Sequence, residues 1–423
     1  MENQPKTDRI TELLFLALIL SLGFMRPSFN VGGLSVTVTD VMFLMTGLAW
    51  STAFLLGKVR PRFDPAFYCF LIYAAALLLS VFFSENTRAS AIKFPAEIYL
   101  IGLAVLTFYV VTTREMVRNV ILAWLAASAV TSLVGTLTVL SYYLGLSNFI
   151  TSLSLHHYGS LPPGNYPRIQ STFFYPSMLC NYLTVSVMIL FAAFKLDWIQ
   201  RSAFIFLLIV FGITIAFTLT PGIGGVILAV GLWFWVDNGG GSRAWGKLAL
   251  AAGSLAALLF LLVSSFSLLH SPTSPYHFDL AGVRVEPTQR LLTWQGAAGT
   301  FLNDPVFGRG LGLAAANVTF MPPSGQVQLL TDAHNAFLNV AAQAGILGLA
   351  SLVLVAAVFA RRGYADRSDP LLTALGIAFI SAFIYQSLVG SFEEARHLWV
   401  LMGLILAVSR MSDQSARVSN GIN

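Results

Sequence analysis

Long apolar runs, separated by short polar or proline-containing segments, dominate this chain. Runs able to cross a bilayer fall at about 11–25, 35–56, 67–83, 94–111, 119–144, 176–194, 203–219, 223–236, 247–269, 336–360, 370–388 and 398–409. About 20 apolar residues at 1.5 Å rise span a hydrocarbon core of about 30 Å. The pattern therefore predicts an all-α polytopic integral membrane protein with about twelve transmembrane helices, several of them short. Two connections are longer than a hairpin needs. The first, 147–175, contains SLPPGNYPRIQSTFFYPS, and the second, 270–333, is rich in proline. Within the second, the spacing of Leu291, Leu292, Trp294, Ala298 and Phe301 predicts an amphipathic helix over 287–301, its apolar face at the bilayer interface and Arg290 and Gln295 in water. No repeat of 20 to 50 residues and no extended low-complexity tract is visible. Residues 1–423 read as a single integral membrane domain that contains the 270–333 loop.

One stretch joins a polar head to a span without a break: TDAHNAFLNVAAQAGILGLASLVLVAAVFARR, 331–362. No proline occurs from Ala333 to Ala360. A continuous helix of that length is roughly 42 Å long, so its first two turns should stand out of the membrane. Thr331 and Asp332 are the expected N-caps, which places His334 in the first turn at the positive end of the helix dipole. Asn335, Asn339 and Gln343 recur every four residues and form a polar stripe leading inward.

Composition confirms the class. The chain is 56% hydrophobic and 10% charged, against about 25% charged for a soluble domain. Of 24 Lys and Arg, sixteen fall in one alternate set of connections and eight in the other. Basic residues accumulate on the cytoplasmic side, so both termini are expected there and both long loops outside. The run 13–25 is followed by Arg26-Pro27 and lacks a small-x-small cleavage site, so it reads as an uncleaved first span. Cys69 and Cys180 each lie in an apolar run and are expected to be buried thiols.

Charge also locates candidate chemistry. Arg168, Arg284, Arg290 and Arg309 lie in the two long loops, contrary to the usual bias, and His334 follows the second. Guanidinium forks match phosphate oxygens, and charge-assisted bonds of this kind are worth roughly 1.5 to 3 kcal/mol each. A diphosphate is the natural ligand. The alternative for each arginine is pairing with a nearby acid, Asp279, Glu286, Asp304 or Asp332, or with lipid headgroups. Asp40 reads as a helix cap, and Glu393, Glu394, Arg396 and His397 as a local ion-pair cluster at a helix end. There is no P-loop, no HExxH or paired-cysteine metal site, no G-x-S-x-G elbow and no Asp-x-Asp pair. Neither a metal nor a cofactor is expected, and nothing points to nucleic acid.

The segment RLLTWQGAAGTFLNDPVFGRGLG, 290–312, with DAHNAFLNVAAQAGILGLA, 332–350, resembles the signature of the O-antigen ligase family. The shared features are an Arg and Trp, an Asn/Asp-Pro-x-x-Gly-x-Gly turn, His-Asn-x-x-Leu and Gly-x-x-Gly. Arg168 with STFFYPSMLCNYL resembles the family's element ahead of the sixth span. Two positions depart from the pattern. Leu219-Thr220-Pro221-Gly222 stands where many members have Ser-Arg after the seventh span, and Gln343 stands where an acid often precedes the glycine.

The resemblance implies a metal-independent, inverting glycan transferase of the bacterial inner membrane, with its site on the periplasmic side. Its donor would be an undecaprenyl-diphosphate-linked glycan and its acceptor a lipid A-core hydroxyl. His334 would then be the general base, and Arg290 and Arg168 would hold the departing diphosphate. Asn335, Arg284, Arg309, Asp332 and Trp294 would line the substrate site. The same motifs serve polymerases that use a second lipid-linked glycan as acceptor. A lipid-linked glycan transporter is the alternative of another class, but it would place its polar groups near the bilayer midplane.

Overall fold

The computed structural model describes residues 8–31, 34–146, 149–158, 166–237, 266–268, 278–280, 283–287, 289–320, 328–365 and 368–419. Seven helices among them are long and apolar enough to cross a membrane: α2 (Val38–Leu55), α4 (Thr87–Val110), α5 (Arg114–Tyr143), α7 (Pro176–Lys195), α8 (Arg201–Thr218), α11 (Ala336–Gly363) and the segment Pro370–Leu388. The apolar helices α3 (Phe67–Phe82) and α9 (Ile223–Asp237) are shorter, and α1 (Arg9–Ser21) and α13 (Arg396–Ser419) complete the bundle. The run expected at 247–269 lies almost wholly outside the described residues. The chain is thus a multi-pass helical protein in which seven of the twelve expected spans meet that standard.

The core forms where apolar residues continue around a whole helix. On α7, Leu179, Leu183, Met188 and Leu190 are fully buried, and on α13 so are Leu398, Val400, Leu404 and Ile405. A helix apolar on all sides must be surrounded, and these two are. The segment Pro370–Leu388 begins as α12 (Pro370–Phe379), widens to a π-turn at Ile380–Tyr385 and tightens to a 3₁₀ turn at Gln386–Leu388. A side chain inserted into the backbone ladder causes such changes. Here Asn181 Nδ2 donates to the Ala382 carbonyl at 2.8 Å and to Gln386 Oε1 at 2.6 Å. Gln386 Nε2 donates in turn to Thr184 Oγ1 and to the Gly222 carbonyl, while His397 Nε2 meets Asn181 Oδ1 at 2.6 Å. This buried network ties α7 to the widened segment and to α13.

Charge segregates by end. At one end Arg114 pairs with Asp369, Arg362 with Asp64 and Lys58 with Asp8; at the other Lys93 pairs with Glu394, Arg309 with Glu85 and Arg396 with Asp40. Among the described residues, none of these six pairs joins the two sets that the loop pattern separated.

The long connections are not purely helical. The first contains a short helix α6 (Phe149–Ser154) and an antiparallel pair of strands, β3 (Leu155–Tyr158) and β4 (Tyr166–Ile169), numbered after the hairpin β1 (Ser28–Val31) with β2 (Leu34–Thr37). The second contains a three-stranded sheet of β5 (Phe266–Leu268), β6 (Phe278–Leu280) and β7 (Val283–Pro287), the helix α10 (Gln289–Asn303), and the pair β8 (Val318–Phe320) with β9 (Gln328–Leu330). The expected helix at 287–301 is therefore present, displaced by two residues.

The organising helix differs from its expected form in two ways. It begins at Ala336, because Asn335 is the N-cap and its side chain accepts the Leu338 N–H at 3.0 Å. It is also broken at Gly345, where φ is 64° and ψ −162°. The Asp304–Gly310 turn fills the break. Arg309 N–H donates to the Ala342 carbonyl and Gly310 N–H to that of Gln343, each at 3.0 Å, while Ile346 N–H donates to the Pro305 carbonyl at 2.8 Å. Ser80 Oγ adds a bond to Gln343 O at 2.7 Å. The turn approaches so closely that a Cβ at Gly308, where φ is +72°, would run into the Gln343–Ala344 peptide. Gly308→Ala is expected to cost roughly 3 kcal/mol or more through a left-handed φ and an overpacked contact. Gly47→Ala on α2, with nothing within 4 Å, should be neutral or slightly stabilising. Thermal unfolding of the two variants in the same detergent checks the contrast.

Candidate active site

The site is built where the break in α11 lets the second long connection dock. Thr293 and Ala297 of α10 are fully buried. Thr293 Oγ1 bonds to the Arg290 carbonyl at 2.9 Å and faces the Ala333 carbonyl at 3.4 Å. Ala297, Ala315, Ala316, Ala333 and Ala342 form one small cluster. Small side chains permit this close approach, so α10 rests on the segment that carries His334. The inward face of α10 is thus Thr293 and Ala297, while Leu291, Leu292, Trp294 and Phe301 are half-buried. Arg290, expected in water, is half-buried too. Trp294 Nε1 is out of solvent and has no acceptor among the described residues, an unsatisfied donor of the kind that calls for a ligand.

His334 precedes α11, where it was expected inside the first turn. Its φ is 49°, a left-handed conformation that is costly for a residue with a Cβ. The Asp332 carboxylate accepts the His334 N–H at 2.6 Å and holds this turn. Because Asp332 serves His334, it does not cap the helix. The imidazole side chain is 55% exposed, with Nδ1 3.9 Å from Asp332 Oδ1, too far for a hydrogen bond. One ring nitrogen therefore lies toward the carboxylate and the ring is open to an incoming group.

The polar stripe is real and leads inward. Asn335 Nδ2 donates to the Leu388 carbonyl at 3.2 Å, Asn339 Nδ2 to Glu393 Oε1 at 2.7 Å, and Gln343 Oε1 accepts from Gly312 N–H at 2.8 Å. A small cavity beside Gln343 is lined by Tyr73, Glu97, Leu311, Val340, Glu393 and Glu394. Acids from α4 and from the turn before α13 thus gather where the family pattern often has an acid at Gln343. The charged residues at 393–397, expected to form a local ion-pair cluster, pair outward among the described residues: Glu394 with Lys93, and Arg396 with Asp40, which closes a capping box with Thr37. Glu393 instead points to Asn339.

The other arginines take separate places. Arg168 on β4, opposite His156, donates from Nε to the Thr218 carbonyl at 2.9 Å. It grips the end of α8, so an arginine from another loop reaches the turn where the Ser-Arg pair is missing. Arg309 Nε bonds to Glu85 Oε2 at 2.6 Å, and Glu85 N–H donates to the Arg309 carbonyl. Arg284 lies on β7 opposite Asp279, and its side chain lies outside the described residues. The fold therefore brings His334, Asp332 and Asn335 together with the helix bearing Arg290 and Trp294. Arg168 and Arg309 are held on other elements.

Residues 204–353 match the family model described as O-antigen ligase. Over this segment the chain is similar to that family. The segment covers just over a third of the chain, from α8 through the break in α11, and so includes Arg290, Trp294, the glycine turn, His334 and Asn335. Arg168 and the acidic turn at 393–394 lie outside it. No curated protein matches the chain. The matched segment holds most of the broken helix α11 and, just before it, His334. Ser391, Glu97 and Tyr73 were not legible as site residues, since each lies in a segment without a motif. Glu97 gave the one usable signal, an acid four residues after Lys93 in an otherwise apolar run.

Burial and the neighbouring Glu394 push the Glu393 carboxyl from the usual 4.5 up to about 8, against the opposing bond from Asn339. A raised acid favours folding most below its unfolded value, and this contribution is lost as pH rises toward 8. The melting temperature should therefore fall between pH 5 and 8.5, and less so in Glu393→Gln. Equal slopes in the two proteins would contradict the assignment.

Proposed function

We propose that this protein is an O-antigen ligase-type glycan transferase that moves a glycan from undecaprenyl diphosphate to a lipid A-core hydroxyl. What carries the reading is the exposed His334, fixed beside the α10 helix that bears Arg290 and Trp294, within the family segment. His334 accepts the acceptor's hydroxyl proton on the ring nitrogen turned away from Asp332. The acceptor oxygen attacks the anomeric carbon opposite the diphosphate, and the C1–O bond breaks with its electron pair leaving on undecaprenyl diphosphate. Configuration inverts. Arg290 and Arg168 bind diphosphate oxygens and stabilise the charge that develops on them, while Trp294 Nε1 donates to a substrate oxygen. The leaving group comes with the donor, so neither a metal nor a nucleotide is required.

The cation bias supports an inner-membrane protein with cytoplasmic termini and a periplasmic site. The buried Asn181–Gln386–His397 network does not supply the open midplane site that a transporter needs.

His334→Ala should lower transfer roughly 100-fold or more while the protein stays folded; near-normal turnover in a well-expressed variant would sink the assignment. Lysine at Arg290 or Arg168 keeps the charge but loses the fork, so each should impair transfer. Wild-type rates in both would reduce these residues to a diffuse field. Purified protein given lipid-linked glycan alone should leave its length unchanged and release undecaprenyl diphosphate only when rough lipopolysaccharide is added. Elongation of the donor without that acceptor would identify a polymerase.

A further inference from the structure

The turn joining the 3₁₀ segment to α13 touches the residues around His334 at four points. Two use backbone acceptors: Leu388 O takes Asn335 Nδ2 at 3.2 Å, and Gly390 O takes Ala336 N–H at 3.2 Å. Any sequence following this path could provide them. The other two depend on side chains. Ser391 Oγ donates to Asp332 Oδ1 at 2.5 Å, and Glu393 Oε1 accepts from Asn339 Nδ2 at 2.7 Å. Asp332 Oδ1 is the same atom that holds the His334 N–H. Asn339 Oδ1 faces the Ala333 N–H at 3.4 Å, one residue before the histidine. Both side-chain bonds therefore end on groups that bracket His334 and fix its left-handed backbone.

Glu393 is itself fixed. Trp399 Nε1 donates to its carbonyl at 2.7 Å, and the residue is 6% exposed. Side chains so placed hold a neighbour without touching substrate, and a reacting group displaced by about 1 Å loses roughly 100-fold in rate.

We propose that Ser391 and Glu393 are positioning residues for the base, Ser391 acting through Asp332 and Glu393 through Asn339. The inference rests on the reading of His334 as the base. Neither residue contacts the reacting atoms. Each holds one side of the turn that presents the imidazole, so each acts on turnover and leaves donor affinity unchanged. Glu393 works by hydrogen-bond geometry. Its carboxyl, pushed up to about 8 by burial, is mostly neutral at neutral pH, and glutamine reproduces its acceptor oxygen.

The test uses the full chain in nanodiscs, with a synthetic undecaprenyl-diphosphate-linked glycan and saturating rough lipopolysaccharide. Ser391→Ala and Glu393→Ala should each lower kcat roughly 10- to 100-fold, with donor KM within about twofold of wild type. Ser391→Thr and Glu393→Gln should recover at least half of kcat. A purely structural role would reduce the folded fraction or move KM, and would not give this split with conservative rescue. Wild-type kcat in both alanine variants, alongside an inactive His334→Ala, overturns the positioning role. An active His334→Ala overturns the base assignment instead. Should Glu393→Ala fail to fold, Ser391→Ala with its threonine rescue decides the matter.

Discussion

A helix interrupted inside a membrane protein must find new partners for the backbone groups it releases, because lipid offers none. In α11 the break at Gly345 frees the carbonyls of Ala342 and Gln343 and the N–H of Ile346. The Asp304–Gly310 turn meets all three with its own backbone: Arg309 and Gly310 donate, and Pro305 accepts. The exchange requires glycine on both sides, since Gly308 and Gly345 have positive φ, and a Cβ on Gly308 would enter the Gln343–Ala344 peptide while one on Gly345 would enter the Val306 carbonyl and the Gly308 N–H. Bonds of this type are worth about 1 kcal/mol each when made, and cost more when a buried partner is removed. The turn is therefore part of the helix's hydrogen bonding as much as of the loop.

That exchange sets the geometry of the site. The turn follows directly from α10, so anchoring it at Gly345 lays α10 along the start of α11, where Thr293 and Ala297 pack against Ala333 and Ala342. Arg290 and Trp294 are carried with the helix. Meanwhile the Leu388–Glu393 turn grips the other side of the same segment. His334 is thus held between two loops that are distant in sequence, exposed at its ring and restrained at its backbone, which suits a group that must meet a bulky substrate at one orientation.

The membrane class, seven of the twelve expected spans and, two residues away, the helix expected at 287–301 were legible because apolar runs and helical spacing are local properties. The break at Gly345 was not. Its surroundings, Ala-Gln-Ala-Gly-Ile-Leu, read as uninterrupted helix, and the turn that fills the gap lies within the second long connection, more than thirty residues earlier in the chain. The cap was misplaced for a similar reason: Thr331 and Asp332 have good capping chemistry, but Asp332 is committed to His334 and Ser391, which leaves the role to Asn335. Arg309 carried the same outer-loop signal as Arg290, yet its pairing with Glu85 depends on a contact no spacing rule could anticipate. Ser391 sits in a turn without a motif, and only the fold brings it to Asp332.

The proposed chemistry stands on the exposed imidazole of His334 as the group that takes the acceptor's proton. The most direct measurement is a titration with diethyl pyrocarbonate, in which the modified fraction of His334 is read by mass spectrometry and set against residual transfer. Activity is expected to fall in proportion to His334 modification, while buried His397, 2% exposed, stays unmodified. Prior binding of the lipid-linked donor should slow both losses together. Full transfer by protein whose His334 is completely modified would contradict it.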